Sequence, residues 1–124
     1  MMENSKKYDL EERTAKFGEN VITFCARLPN NSILSPLINQ LVRSATSVGA
    51  NYCEATEAES RKDIINKIGL SKKEVKETKH WLRLLAKSNS EKKEDIRKLW
   101  KEAHELLLIS SKIIKSSKSK RVEN

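Results

Sequence analysis

An all-α, up-down-up-down four-helix bundle is the fold that this sequence predicts, and three observations support it. The 124 residues include only three Gly, two Pro and 5% aromatic residues, whereas an all-β chain needs many turns. Four segments carry apolar residues at alternating spacings of three and four, which is typical of helices with one buried stripe. The links between these segments are short, which favours antiparallel packing of consecutive helices.

The first two predicted helices are separated by the segment around Pro29. Pro29 ends the first helix, because proline cannot continue one. Ser35 is the predicted N-cap of the second helix, and Pro36 falls in its first turn, where a missing N–H costs nothing. The first stripe consists of Leu10, Thr14, Phe17, Val21, Phe24 and Leu28, and the second of Leu37, Leu41, Ala45, Val48, Tyr52 and Ala55.

The third and fourth predicted helices are joined by a short link, in which Ser90 is the predicted N-cap of the fourth. Gly69 lies inside the third helix, and it is interpreted as a tolerated break because the periodicity continues past it. The third stripe consists of Ile64, Ile68, Ser71, Val75, Thr78, Leu82 and Leu85, and the fourth of Ile96, Leu99, Ala103, Leu106, Ser110 and Ile113.

The length predicts one domain with a hydrophobic core that needs neither disulfides nor a metal. The bundle is expected to span residues 10–115. Residues 1–9 are expected to form a flexible N-terminus, and residues 116–124 a disordered basic tail with nothing to bury.

The net charge of +8 is distributed unevenly along the chain. Residues 1–60 contain 6 Lys/Arg and 8 Asp/Glu, whereas residues 61–124 contain 19 Lys/Arg and 9 Asp/Glu. The basic character therefore belongs to the second half. Such asymmetry indicates a polyanionic partner, and a solvated, solubilising surface is the alternative.

The cysteines and the hydropathy pattern predict a cytoplasmic protein with no membrane association. Cys25 and Cys53 lie in apolar surroundings on different predicted helices, which favours two reduced core thiols over a disulfide framework. The N-terminus lacks the apolar core of a signal peptide, and no stretch approaches the roughly 18 apolar residues that a membrane span needs.

The middle of the second predicted helix contains small and polar residues that are poor helix formers. They form a stripe beside the apolar one, at about 100° per residue. This pattern predicts a second packing surface that faces another helix or another subunit, and a solvent-facing polar strip is the alternative. The candidate assembly or packing residues are Arg43, Ser44, Ser47, Asn51 and Glu54.

This stretch carries a family resemblance. The run Q-L-V-R-S-A-T-S-V-G-A-N-Y-C-E-A, residues 40–55, resembles the Q-x-x-R-S-A-x-S-x-x-x-N-x-x-E-G signature of the small bundle proteins encoded in intervening sequences of bacterial 23S rRNA genes. Downstream, S-K-K-E at 71–74 and E-T-K-H-W-L at 77–82 are similar to the family's third helix. The resemblance covers roughly residues 10–110. Ala55 departs from it, because the family usually has Gly there.

The resemblance implies a four-helix bundle that assembles into a ring-like homopentamer with a basic surface suited to nucleic acid. It also implies kinship with the accessory protein of diversity-generating retroelements, which has the same fold and partners a reverse transcriptase. No enzymatic activity is implied.

Basic residues form one ridge on each of the last two predicted helices. Two adjacent antiparallel ridges of this kind can follow a phosphate backbone. The candidate nucleic-acid-binding residues are Lys72, Lys76, Lys79, Arg83 and Lys87 on the third helix and Arg97 and Lys101 on the fourth. Lys93, His104, Lys112 and Lys115 extend the ridge of the fourth helix.

The sequence gives no support for catalysis, a cofactor or a metal site. Glu77 and His80 form one E-x-x-H, but a di-iron bundle needs a second one and two further inward glutamates. Neither cysteine lies in a nucleophile motif, and three scattered glycines cannot form a phosphate-binding loop. Trp81 and Trp100, at the edges of their stripes, are interpreted as core or subunit-interface residues rather than base-stacking platforms.

The sequence thus predicts a non-enzymatic homo-oligomer that binds structured RNA, or other nucleic acid, through the two ridges. No RNP aromatic pair, zinc finger or double-stranded-RNA signature is present, so shape and charge are expected to dominate. The alternative is an adaptor for a protein partner such as a reverse transcriptase, with RNA incidental. A plain structural bundle is the third interpretation.

Overall fold

Four α-helices make up the protein in its computed structural model, which describes residues 9–123. They are α1 (Leu10–Ala26), α2 (Leu34–Thr56), α3 (Arg61–Ser88) and α4 (Lys93–Glu123), and a 3₁₀ turn, Ser90–Lys92, precedes α4. Each helix packs against the next one along the chain, and α1 also packs against α4, which closes the bundle. No strand occurs within residues 9–123. The predicted all-α four-helix bundle is confirmed.

The helix starts depend on side chains that satisfy free backbone N–H groups. Oδ1 of Asp9 accepts a hydrogen bond from the backbone N–H of Glu12 at 3.2 Å, and Oγ of Ser60 accepts one from that of Asp63 at 3.1 Å. Glu11 and Glu12 add negative charge to the first turn of α1, which the helix dipole favours. These caps set where α1 and α3 begin.

The predicted Ser35 cap of α2 is wrong. The helix already begins at Leu34, and Oδ1 of Asn31 accepts hydrogen bonds from the N–H groups of Ile33 at 3.0 Å and Leu34 at 2.9 Å. An Asn side chain in the preceding turn reaches two donors, which leaves Ser35 inside the first turn. Pro36 also lies in the first turn, as predicted.

The predicted Ser90 cap of α4 is wrong as well. Ser90 opens the 3₁₀ turn, and α4 begins three residues later at Lys93. The residue at the junction is Asn89, whose side chain is only 3% exposed and donates from Nδ2 to the carbonyl of Leu85 at 3.3 Å. A buried amide that bonds back to α3 ends that helix and directs the chain into the turn.

At the C-terminal end, the bundle extends beyond the predicted boundary at residue 115. Residues 116–123 continue α4, where the sequence predicted a disordered tail. Extension of an existing helix adds a hydrogen bond for each residue fixed and needs no new nucleus, so a tail with a single apolar residue can remain helical. The predicted flexible N-terminus falls on residues 1–8, which lie outside the described residues, and on Asp9, which caps α1.

The core is built from the predicted stripes, and Gly69 lies within an uninterrupted α3 as expected. The largest fully buried apolar side chains are Phe17, Leu41, Leu82, Leu85, Val21, Val48 and Val75. Cys25 belongs to this core, but Cys53 is exposed, so the prediction of two core thiols is wrong for one of them. Cys53 lies on the flank of α2 that faces α1, where its Sγ is 3.8 Å from Oε2 of Glu11.

Two buried hydroxyl contacts tie α2 to α3. Oγ of Ser44 and Oγ1 of Thr78 are 2.8 Å apart, and both side chains are fully buried. Oγ of Ser71 donates to the backbone carbonyl of Val48 at 2.8 Å. The polar side chains on these faces therefore satisfy one another across the helix pair.

Glycine lets α1 and α2 approach closely. A Cβ on Gly49 would lie 3.3 Å from Oγ1 of Thr14, which is tighter than ordinary van der Waals contact. A Cβ on Gly18 would meet Thr46 at 3.7 Å. The small residues in the middle of α2 thus serve packing within the chain. Within residues 9–123, no helix combines the length and the apolar character that crossing a membrane requires.

Candidate nucleic-acid interface

All seven predicted nucleic-acid-binding residues lie at the surface of the α3–α4 pair. Lys76, Arg83 and Lys87 on α3 are exposed, as are Arg97 and Lys101 on α4. Lys72 and Lys79 are partly buried. These seven residues are called the basic ridges below. Because α3 and α4 pack side by side, the structure brings the two ridges onto neighbouring helices.

Two arginines on the other helix pair bind glutamates of α3 and α4. Arg13 on α1 pairs with Glu102 at 2.7 Å and with Glu105 at 2.9 Å. Arg43 on α2 pairs with Glu74 at 3.2 Å and with Glu77. In each case one guanidinium bridges two glutamates that are three residues apart, and therefore on one face of a helix. We call these two groups the arginine clamps.

The arginine clamps hold these glutamates at the edges of α3 and α4 that face α2 and α1. The other acidic side chains of the α3–α4 pair up to residue 119 lie in the first turns or in the 3₁₀ turn: Asp63, Glu91, Glu94 and Asp95. Among the side chains of residues 9–119, none of the basic ridges takes part in a salt bridge. Within this part of the chain, the positive charges of the ridges are therefore not paired with carboxylates.

The sequence did not predict the arginine clamps, although it contains a signal for them. Residues 74–77 and 102–105 are both E-x-x-E segments, the only places in α3 and α4 where two glutamates are three residues apart. Glutamates at this spacing share a helix face. Which arginine meets them depends on the packing of the bundle, and a single sequence does not contain that information.

Lys79 of the α3 ridge forms a cluster with Trp100 and His104 of α4. Nζ of Lys79 is 2.9 Å from Nδ1 of His104 and 4.3 Å from the centre of the Trp100 ring. An ammonium has only donors, so Nδ1 of His104 accepts this hydrogen bond. The Trp100 and His104 rings are stacked, with centroids 5.3 Å apart and planes 7° apart. Trp100 is 39% exposed, so the predicted core role does not describe it.

Trp81, unlike Trp100, packs against the hydrophobic core. It is partly buried against the core, and its indole N–H donates to Oε2 of Glu77 at 3.0 Å. This hydrogen bond, assisted by the charge and hydrogen bond of Arg43, lowers the pKa of Glu77. His80 is exposed and meets the edge of Trp81 at 5.0 Å between ring centroids.

The Glu77 carboxylate of the E-x-x-H segment is thus engaged in structural contacts. Glu77 accepts from Trp81 and pairs with Arg43, whereas His80 faces solvent. Within the part of the chain that the structure describes, no three His, Cys, Asp or Glu side chains form a group that could hold a metal ion.

The predicted assembly or packing residues of α2 find partners within the chain. Ser44 is buried against Thr78. Arg43 forms its clamp with α3, and Glu54 pairs with Lys67 at 2.6 Å. Oγ of Ser47 donates to the carbonyl of Arg43 at 2.7 Å, and Nδ2 of Asn51 donates to that of Ser47 at 3.0 Å. Arg43, Ser44 and Glu54 thus contact α3, whereas Ser47 and Asn51 bond to carbonyl groups of α2 itself.

Comparisons with known proteins agree with the fold and the signature on α2. The family model described as 23S rRNA-intervening sequence protein matches residues 6–116. A crystal structure from Bacteroides thetaiotaomicron, described as a protein of unknown function from the S23 ribosomal protein family, is 31% identical in sequence with a TM-score of 0.78. The similarity covers 85% of this chain and 97% of that one. Among curated proteins, none matches this chain significantly.

Proposed function

The chain belongs to the 23S rRNA-intervening sequence protein family, and on this premise we propose that it is a non-enzymatic, cytoplasmic homopentamer that binds structured RNA or other nucleic acid through the basic ridges. One observation supports this proposal above the others. The arginine clamps take four glutamates of α3 and α4 to the edges of the helix pair, and among the side chains of residues 9–119 the ridge cations between them form no salt bridge.

The cations of the basic ridges lie on two neighbouring helices, an arrangement that suits binding to a phosphate backbone. Lysine and arginine that neutralise phosphates release condensed counterions, and this release favours binding at low salt. The ridges lack an arrangement for reading base edges, so the shape and charge of the nucleic acid would govern the choice of partner. A pentamer would present the ridges five times, and such multivalency strengthens weak individual contacts.

Assembly is the second part of the proposal. The outer edge of the α2 stripe remains at the surface, since Arg43 and Glu54 are exposed and Ser47 and Asn51 are only partly buried. We infer that this edge contacts the next subunit. Asn51→Leu is then expected to change the oligomer mass measured by light scattering, whereas Asn20→Leu, an exposed asparagine on α1, leaves it unchanged. If both variants have the same oligomer mass as the wild type, the inference that the stripe contacts the next subunit is wrong.

A protein-binding scaffold, for a partner such as a reverse transcriptase, is the alternative function. It is favoured by large apolar side chains that lie outside the ridges: Ile22, Leu70 and Leu108 are 48%, 45% and 56% exposed. Exposed apolar side chains occur singly on most proteins, so the ridges carry more weight.

The test is a salt titration with a ridge variant and a charge-matched control. Lys76→Glu with Lys101→Glu reverses one exposed cation on each ridge, and Lys16→Glu with Arg27→Glu reverses two exposed cations on the α1 side. Binding is measured with a structured rRNA fragment and an unrelated RNA. The ridge variant should bind more weakly, and its slope of log affinity against log salt should be shallower by about 1.5, since each phosphate contact contributes roughly 0.7 to 0.9.

Each outcome separates one interpretation from the others. A preference for the rRNA fragment that persists at physiological salt supports structured-RNA binding. Equal loss of affinity in the ridge variant and the control would contradict the ridge as the binding site. Equal binding of both RNAs that disappears at physiological salt would favour the scaffold function.

A further inference from the structure

Trp100 is the largest exposed apolar side chain on the ridge-bearing face. Its side chain is 39% exposed. Lys79 of α3 lies over the ring, and Arg97 and Lys101 are near it in sequence on α4. A tryptophan is usually buried or placed at an interface, because its ring offers a large apolar area. Its position among cations that form no salt bridge with side chains of residues 9–119 suggests a ligand that combines a flat apolar ring with negative charge.

One face of the Trp100 ring is held by two side chains. The His104 ring lies parallel to it, within 7°, and Nζ of Lys79 lies 4.3 Å from its centre. Since Nζ of Lys79 is also 2.9 Å from Nδ1 of His104, both groups must lie on the same side of the indole. Groups on opposite faces would be separated by the ring itself. The opposite face is covered by neither of them.

This arrangement fixes the indole in advance of any ligand. His104 is one turn after Trp100 on α4, and Lys79 joins the pair from α3. The ring is therefore supported from two helices, and a base that stacks on its other face would not have to order a mobile side chain.

We propose that Trp100, supported by Lys79 and His104, is a stacking site for an unpaired base of a bound nucleic acid, and that Arg97 and Lys101 bind the adjoining phosphates. This inference rests on the proposed nucleic-acid binding and adds the kind of nucleotide bound. Bases inside a duplex are already stacked and paired, whereas those in single strands, loops and bulges are free to stack on an aromatic ring. The preferred partner would then contain an unpaired segment next to a helical one.

The experiment uses the full chain and two RNA probes of equal length, a single-stranded oligouridylate and a blunt-ended duplex. Trp100→Leu should weaken binding of the single strand by about 5- to 150-fold, the range that loss of one stacked base gives, and leave duplex binding unchanged. Trp100→Phe keeps an aromatic ring and should recover most of the loss. Leu108→Ala, an exposed apolar residue one turn beyond His104, serves as the control and should change neither affinity.

Fluorescence gives an independent readout of the same contact. The chain has two tryptophans, so Trp81→Phe leaves Trp100 as the only one. Its emission should be quenched by the single strand and unaffected by the duplex. Light scattering on Trp100→Leu should give the wild-type mass. A lower mass would make Trp100 a subunit contact and overturn the stacking site.

The proposed function and this inference fail in different ways. If neither RNA binds even at low salt, the proposed nucleic-acid binding is wrong and the stacking site with it. If both RNAs bind and Trp100→Leu changes neither affinity, the ridges bind phosphates alone and the stacking inference is wrong.

Discussion

Ser44 on α2 and Thr78 on α3 are joined by a hydrogen bond of 2.8 Å between two fully buried hydroxyl groups. Each hydroxyl has one hydrogen, so one donates to the other and the second donates to a backbone carbonyl, of Leu41 or of Glu74. The pair lies in the middle of the helix pair and satisfies itself without water.

Removal of one partner of this pair should cost nearly as much stability as removal of both. Thr78→Val leaves the Ser44 hydroxyl with a poorer partner and should lower the free energy of unfolding by about 1–3 kcal/mol. Adding Ser44→Ala should cost little more, because no polar group is then stranded. Denaturant unfolding of the four proteins at one protomer concentration measures the coupling. Simple additivity would show that the hydroxyls do not depend on each other.

The Arg13 clamp should affect nucleic-acid binding without touching the ligand. Arg13→Ala releases Glu102 and Glu105 from α1, so that two carboxylates are free to approach the ridge of α4. Affinity for RNA at low salt should fall further than in Arg27→Ala, which removes the same charge from an exposed residue outside the clamps. Identical losses in the two variants would mean that only net charge matters.

Glu77 should make stability depend on acidic pH. Its pKa is lowered, first by the hydrogen bond from Trp81 and then by Arg43. A lowered folded-state pKa gives stability that is present above the unfolded-state value, about 4.3 for Glu, and is lost as the pH falls through the folded-state value. Wild type should therefore exceed Glu77→Gln in stability at neutral pH, and the difference should shrink as the pH falls through the lowered folded-state pKa. A gap that stays constant with pH would contradict the role given to the carboxylate.

The two thiols should react very differently. Burial raises the pKa of Cys25 to about 11, and its side chain is 8% exposed, whereas Cys53 is exposed beside Glu11. A thiol reagent applied to the native protein should label Cys53 and spare Cys25, and both should react in denaturant. Cys53→Ser then provides a protein with no fast-reacting thiol. Rapid labelling of Cys25 in that variant would indicate opening of the α1 end of the core.

Replacement of glycine by alanine should have different effects on stability at two helical positions, Gly69 and Gly49. A Cβ on Gly69 meets nothing within 4 Å, so Gly69→Ala should raise the free energy of unfolding by about 0.5–1 kcal/mol. At Gly49 the new methyl group would come within 3.3 Å of Thr14, and the gain should be smaller or reversed. Thermal unfolding of the two variants compares them directly. Equal stabilisation would mean that α1 moves away from α2 at no cost.

Periodicity was sufficient for the four helices because each buries one stripe, and stripes such as Phe17, Val21 and Phe24 show that spacing directly. It was insufficient for the caps. Asn31 and Asn89 act through side-chain reach and burial in turns, which depend on where the neighbouring helices end. Cys53 shows a similar limit, since one position on α2 decides whether a thiol enters the core or faces Glu11.

The candidate site was predictable in composition but not in arrangement. The ridge lysines repeat at helical spacing and were found from sequence alone. Their isolation from acidic groups depends on Arg13 and Arg43, which lie on other helices and reach α4 and α3 only in the folded bundle. The position of Trp100 depends in the same way on Lys79, which approaches from α3.

The arginine clamps also bear on how the protein would meet a polyanion, apart from how tightly it binds. With the glutamates held at one pair of edges and the ridge cations at the other, the charge of the α3–α4 pair is separated across its width. The ridge edges of the helix pair are then its most positive side, and the field of a nucleic acid would rotate the protein during approach so that the ridges arrive first. Electrostatic steering of this kind raises association rates by roughly 10- to 1,000-fold and weakens steeply with ionic strength. The clamps would then act chiefly on the rate of encounter, while the lifetime of the complex depends on the contacts made after arrival.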